Sequence, residues 1–210
     1  KARTVARYYR SLRAAANAAL ALGYVGNEAA WKLRPLVDAE GDDEGETAVF
    51  LTPAQRRAIV EGAAFEAGDF LRGLELTGAR PKELAAALVS DFDGSTLRLA
   101  HRKGRPPRLR VRRVVLSAAG VELFKRRARG KLPGASLFTE DGAQPWRRHI
   151  WARETRAAIA KANDQAGRDP AARIPAGASA YSFRHARISE LLQVHGVDPL
   201  TVAQQTGTSL

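Results

Sequence analysis

Between Arg98 and Arg113, eight of sixteen residues are Lys or Arg and none is acidic. Charge of that density cannot be folded into a core without an anion beside it. The segment nevertheless carries strand patterning at both ends, in Thr96-Leu97-Arg98-Leu99 and in Leu109–Leu116, around a loop rich in Arg, Gly and Pro. The chain must therefore present a basic β-hairpin at its surface. It is set against nucleic-acid phosphates or is a solvated basic face, and Arg102, Arg105, Arg108 and Arg110 are its candidate phosphate contacts. Aromatic residues are too few here for base stacking, which disfavours single-strand and RNA binding.

The rest of the chain agrees with a polyanionic partner, because 34 Lys plus Arg stand against 22 Asp plus Glu and leave a formal charge of +12. Nucleic acid is expected ahead of a membrane surface. A length of 210 residues with 45% apolar side chains allows one substantial core and a small extra module. The absence of cysteine excludes disulfides, thiolate catalysis and thiolate metal sites. The four histidines do not cluster with carboxylates at metal-ligand spacing, and no phosphate-binding glycine loop or dinucleotide fingerprint occurs. No metal and no cofactor are expected. No apolar run approaches a membrane span and no signal-peptide core opens the chain, so a soluble cytoplasmic protein with no membrane partner is expected.

Composition also divides the chain. Val5, Tyr8, Leu12, Ala15, Ala16, Ala19 and Leu20 recur at helical spacing, predicting one amphipathic helix from Thr4 to about Leu22. The run Asp38–Glu46 holds six carboxylates and two glycines and reads as a solvated linker. The expected organisation is a helical module over 1–37, the linker over 38–46, and a main domain over 47–210. Within that domain Thr52-Pro53-Ala54-Gln55 has the form of a capping box. Further helices are predicted from about Asp69 to Leu76, from Pro81 through Leu88, from Ala118 to Arg129, from Pro145 to Asn163, from Ser182 to Val194 and from Pro199 to Thr206. The fold class is α+β, mainly α: a helical domain with one small antiparallel sheet.

The order of motifs resembles the tyrosine recombinases and phage integrases, over most of the chain. Leu76-Thr77-Gly78-Ala79-Arg80-Pro81-Lys82-Glu83-Leu84 is similar to the family's Thr-Gly-x-Arg-x-x-Glu-Leu segment, and Arg80 matches its first catalytic arginine. Val89-Ser90-Asp91-Phe92-Asp93 looks like its acidic turn into the hairpin, and Lys103-Gly104 occupies the place of the hairpin lysine. Tyr181-Ser182-Phe183-Arg184-His185 matches the second arginine at Arg184, and Gly196–Val202 followed by Gly207-Thr208 resembles the turn, helix and Gly-His pair near the family's end. The helix at Thr4–Leu12 looks like the last long helix of a core-binding domain, which would make 1–37 the end of that domain and 47–210 an incomplete catalytic domain of the DNA breaking-rejoining kind.

The resemblance implies catalytic roles for Arg80, Lys103, Tyr181, Arg184 and Thr208. Charge chemistry favours the arginines independently, since a guanidinium fork can hold two phosphate oxygens and both Arg80 and Arg184 are expected at helix entrances, where backbone N–H groups add to an anion site. Lys103 would give a proton to the leaving 5′ oxygen, although Arg102 and Arg105 compete for its register. Glu83 either orients a basic neighbour or favours its own helix N-terminus, the second being preferred on sequence alone. His185 reads as a structural helix-start residue. Tyr181 and Thr208 depart from the family, which usually has His at the first position and His or Trp at the second.

The implied reaction is site-specific recombination through a 3′-phosphotyrosine, on duplex DNA and in a homo-oligomer, a tetramer on DNA. The chain starts at Lys1 inside a helical pattern and closes directly after Gly207-Thr208, so both ends are expected to be cuts, with the nucleophilic tyrosine shortly beyond Leu210 and the fragment alone inactive. A noncatalytic DNA-binding accessory module of the same fold is the alternative, and a type IB topoisomerase is disfavoured by the leading helix. The two arginines are expected to line one basic concave face with Tyr181 and Thr208, and Lys103 to stand on the hairpin loop.

Overall fold

The structure is a computed structural model that describes Tyr9, Leu12 and residues 15–24, 49–103, 108–167 and 169–207; for residues 101–103 and 108 it describes the backbone only. The chain divides into two compact units, Lys1–Ala48 and Val49–Leu210. In the first unit residues 15–21 are helical, inside the predicted amphipathic stretch. The acidic run Asp38–Glu46 lies outside the described residues.

The second unit begins as its sequence dictates. Helix α1 (Pro53–Gly62) opens on the capping box: the Thr52 hydroxyl accepts from the Gln55 backbone N–H at 3.2 Å, and the Gln55 side chain accepts from the Thr52 N–H at 2.9 Å. Helix α2 (Phe65–Thr77) starts four residues before the predicted Asp69, because Ala67, Phe70, Leu71 and Leu74 put an apolar face on the core from the first turn onward. It stops at Gly78, whose φ of 61° takes the left-handed conformation and lets its N–H reach the Leu74 carbonyl at 2.8 Å.

The next helix is shorter than predicted. Helix α3 (Pro81–Ala85) ends before Leu88, since Leu88 leaves to bridge Ser136 and Asp91 caps a 3-10 turn over Val89–Asp91 by accepting from the Leu88 N–H at 2.9 Å. Asp93 then folds the chain into the hairpin, accepting from the N–H groups of Ser95 and Thr96 and from both their hydroxyls. These contacts hold the Asp93 carboxyl well below the usual range.

Strands β1 (Thr96–Lys103) and β2 (Arg108–Val115) form the antiparallel pair, in a register that sets Leu97 opposite Val114, Leu99 opposite Arg112 and Lys103 opposite Arg108. β1 is therefore four residues longer than predicted, and Lys103 is its last residue rather than part of the loop. Leu97, Leu99 and Val114 are buried while Leu109, Val111 and Val115 are exposed, so the ribbon has one core face and one outer face.

Helices α4 (Ala118–Ala128), α5 (Arg148–Ala166), α6 (Ala180–Gln193) and α7 (Pro199–Thr206) complete the unit. α5 starts after the predicted Pro145, because Pro145 bridges Thr139. α1 packs on α5, while α2 packs on both α4 and α6, around a core in which Phe138 meets Phe70 and Phe124 edge-on at 5.9 and 5.4 Å. The buried Arg56 pairs with Glu75 at 3.1 Å and Glu190 at 3.5 Å, tying α1, α2 and α6 together.

Candidate functional site

Three elements from distant parts of the chain meet at the C-terminal end of α7. Helix ends leave their last carbonyls without intrahelical donors and concentrate partial negative charge there. Here three successive carbonyls each accept from a different arginine. Gln205 accepts from Arg112 Nε at 2.8 Å, Thr206 from Arg184 Nη1 at 2.7 Å, and Gly207 from Arg80 Nη2 at 2.7 Å.

Arg80 reaches this turn because Gly78 ends α2 and Pro81 starts α3, leaving Arg80 as the N-cap in extended conformation. Its Nη1 donates to Glu83 Oε1 at 2.9 Å, and its backbone N–H donates to Glu83 Oε2 at 3.0 Å. Of the five guanidinium N–H groups, two are thus engaged, and the side chain is 31% exposed. Arg184, on the second turn of α6, is buried and also donates to the Gly78 carbonyl at 2.6 Å. Burial, then the neighbouring charges of Arg80 and Arg112, push its pKa down to about 10, against the opposing pull of Glu83 and Tyr181; it stays protonated at neutral pH. Of the two arginines expected to line one concave face with Tyr181 and Thr208, Arg80 is partly open to solvent and Arg184 is buried.

Glu83 is the carboxylate that balances the cluster. It is buried, and its Oε2 accepts from Arg112 Nη2 at 2.6 Å in addition to its two Arg80 contacts. Burial raises its pKa, but the Arg112 hydrogen bond and charge, with the Arg80 donors, outweigh that and hold it below 4.5. The orienting role, which sequence alone ranked second, is present together with the helix N-terminal one.

Arg112 is the residue that sequence reasoning missed. It was one of eight basic hairpin residues, and Arg110 was singled out instead. The signal was register: Arg110 and Arg112 share the strand face of the core residue Val114, but Arg112 alone of the two stands opposite the core residue Leu99. Arg110, Arg113 and Arg98 are exposed, and Arg98 also pairs with Asp91 at 2.9 Å.

Tyr181 opens α6 and is 46% exposed, lining a groove with Lys82, Trp146, Arg148 and Trp151. His185 meets Phe50 edge-on at 6.3 Å. For Lys103, Arg102 and Arg108 the structure gives strand positions only, while Arg105 and Thr208 lie outside the described residues. Among the described residues no group of His, Asp and Glu is placed to hold a metal ion, and no helix is long and apolar enough to cross a membrane.

No family model matches the chain, and no curated protein matches it significantly in sequence. Solved structures do match. The Tn1549 transposon integrase (residues 82–397), in complex with circular intermediate DNA, superposes with a TM-score of 0.72 at 20% identity, over 99% of this chain and 72% of that one. The XerA recombinase superposes with a TM-score of 0.57 at 19% identity, over 77% and 57%. The catalytic domain of bacteriophage HP1 integrase does so with a TM-score of 0.52 at 16% identity, over 77% and 82%.

Proposed function

We propose that this chain, whose fold is that of the tyrosine recombinases, holds the phosphate-activating part of a site-specific recombinase that cuts and rejoins duplex DNA. The observation that carries this reading is the meeting of Arg80 and Arg184 on adjacent carbonyls of one turn, across 106 residues between Gly78 and Arg184. The partly open Arg80 guanidinium can meet a non-bridging oxygen of a phosphodiester under attack, and the buried Arg184 adds its positive charge to the same field.

In this reading a tyrosine hydroxyl attacks the scissile phosphorus. The bond to the 5′ oxygen breaks, a 3′-phosphotyrosine forms, and the leaving oxygen takes a proton from Lys103. The freed 5′ hydroxyl of a partner strand then attacks the phosphotyrosine and restores a phosphodiester, so no external energy source is needed. Tyr181 takes the place of the family's usual histidine, where its hydroxyl can donate to a phosphate oxygen, and Thr208 takes that of the second histidine or tryptophan. The exposed arginines of the hairpin hold the duplex. The intact protein works as a tetramer on DNA.

The test is incubation of the intact protein with a nicked suicide duplex carrying its recombination site. A covalent protein–DNA adduct through a 3′-phosphotyrosine is expected. Tight duplex binding with no adduct, under conditions where strand exchange is seen in the cell only with another recombinase present, would leave the noncatalytic accessory module in its place.

A further inference from the structure

The arrangement around Arg112 asks for a role beyond phosphate contact, because its side chain is only 9% exposed and its Nη1 is fully covered. An anion cannot reach that atom while Gly207 lies over it: a Cβ built on Gly207 would stand 3.0 Å from Arg112 Nη1 and 3.3 Å from Arg80 Nη1. Arg112 instead joins three parts of the site. Its backbone is in β2, its Nε holds the Gln205 carbonyl at 2.8 Å, and its Nη2 holds Glu83 Oε2 at 2.6 Å. Glu83 in turn holds Arg80 by both its backbone N–H and its Nη1. Any shift of β2 therefore reaches Arg80 through one carboxylate.

We propose that Arg112 is a positioning residue that locks β2, Glu83 and the last turn of α7 into one frame, and by doing so aims Arg80 at the scissile phosphate. This rests on the recombinase reading above. Only a planar guanidinium can serve both partners at once, since Nε and Nη2 lie on one rigid edge, whereas a lysine has a single flexible donor group for two acceptors. Charge is the second half of the argument. Arg80, Arg184 and Arg112 carry three positive charges against one on Glu83, and the surplus matches the charge that gathers on a phosphate at the point of attack. Arg112 contributes to that field without touching the substrate.

The experiment compares the intact protein with its Arg112→Lys and Arg112→Gln variants in single-turnover cleavage of a suicide duplex at saturating protein, beside DNA affinity across a salt series and thermal melting. Arg112→Lys is expected to melt cooperatively and to bind DNA within about threefold of the parent with the same salt slope, since a covered side chain contacts no DNA phosphate. Its cleavage rate should fall about a hundredfold, the cost of a displacement of about 1 Å at a reacting centre. Arg112→Gln keeps a donor for Gln205 but not the charge, and is expected to cleave no faster. A Lys variant that cleaves at the parent rate would overturn the proposal, as would loss of affinity in step with rate or a shallower salt slope, which would make Arg112 a DNA contact. Failure of both variants to fold would overturn it in favour of a purely structural ion pair. If the parent itself forms no adduct, the recombinase reading falls and this proposal with it; if the parent cleaves and the variants match it, only this proposal falls.

Discussion

The Arg80 guanidinium donates to the carbonyl of Gly207 at 2.7 Å across 127 residues of sequence. That contact fixes the backbone of the last described turn against the first arginine of the site. Gly207 can accept it because it ends α7 in the left-handed conformation, at φ 70° and ψ 32°.

Gly207→Ala should therefore damage both stability and chemistry. The left-handed conformation costs a non-glycine residue about 1–2 kcal/mol, and the added methyl would press on Arg112 and Arg80 at 3.0 and 3.3 Å. Denaturant melting should show a loss of at least that size, and suicide-substrate cleavage by the intact protein should fall further than the lost stability explains. An alanine variant with parent-like cleavage would show that the turn is not what holds Arg80.

Direct removal of the arginines separates binding from catalysis. Arg80→Ala in the intact protein removes one contact among many for DNA but a main charge stabiliser for the attacked phosphate, so cleavage should drop by about 100-fold or more while affinity changes by less than about tenfold. Arg184→Ala should lose stability as well, because its side chain is buried and holds the carbonyls of Gly78 and Thr206 together. Equal losses of affinity and rate in Arg80→Ala would point to a DNA contact and against catalysis.

Glu83 gives the site a pH signature. Its folded pKa is held below its ordinary 4.5, so it contributes stability that is present in full above that value and is lost as pH falls through the folded value. Acid titration of the parent should show stability declining below about pH 4.5, and Glu83→Gln should be less stable at neutral pH with a flatter decline. An identical acid profile in the two proteins would mean that Glu83 is not the group being titrated.

Much of this arrangement was legible in the sequence, and the parts that were not have physical reasons. Helix starts were readable where a side chain or a proline sets them, as at Thr52, Pro53, Pro81 and Pro199. The ends of α3 and β1 were not, because Leu88 leaves its helix to bridge Ser136 and Lys103 keeps pairing through contacts that only the register of β2 supplies. Arg80 and Arg184 stood out by motif. Arg112 did not, since strand parity puts both Arg110 and Arg112 on the face of Val114, and only the pairing register, which sets Arg112 opposite the buried Leu99, tells which of the two is covered.

The core gives a stability test that is independent of the site. Gly73 lies inside α2, where alanine would normally favour the helix by about 0.5–1 kcal/mol. A Cβ there would come within 2.9 Å of Phe138 Cζ and 3.0 Å of Leu84 Cδ2, both in fully buried side chains. Overpacking should win, leaving Gly73→Ala less stable by about 1–3 kcal/mol. A rise in melting temperature would show that Phe138 can yield.

The hairpin yields the last prediction, through the contrast between its exposed and covered arginines. Arg110 and Arg113 are open to solvent, whereas Arg112 is spent on Glu83 and Gln205. Each phosphate neutralised by an exposed cation releases bound counterions, so duplex affinity should fall steeply with salt, and each lost contact should make the slope shallower by about 0.9. Arg110→Ala is thus expected to weaken binding uniformly across DNA sequences and to reduce the slope by about one contact. Arg112→Lys should leave the slope unchanged although it sits two residues away. Affinity that is nearly independent of salt would remove the hairpin from the DNA interface altogether. Equal slope changes at positions 110 and 112 would mean that the strand face the two share lies against the duplex, with the Arg112 contacts opened on binding.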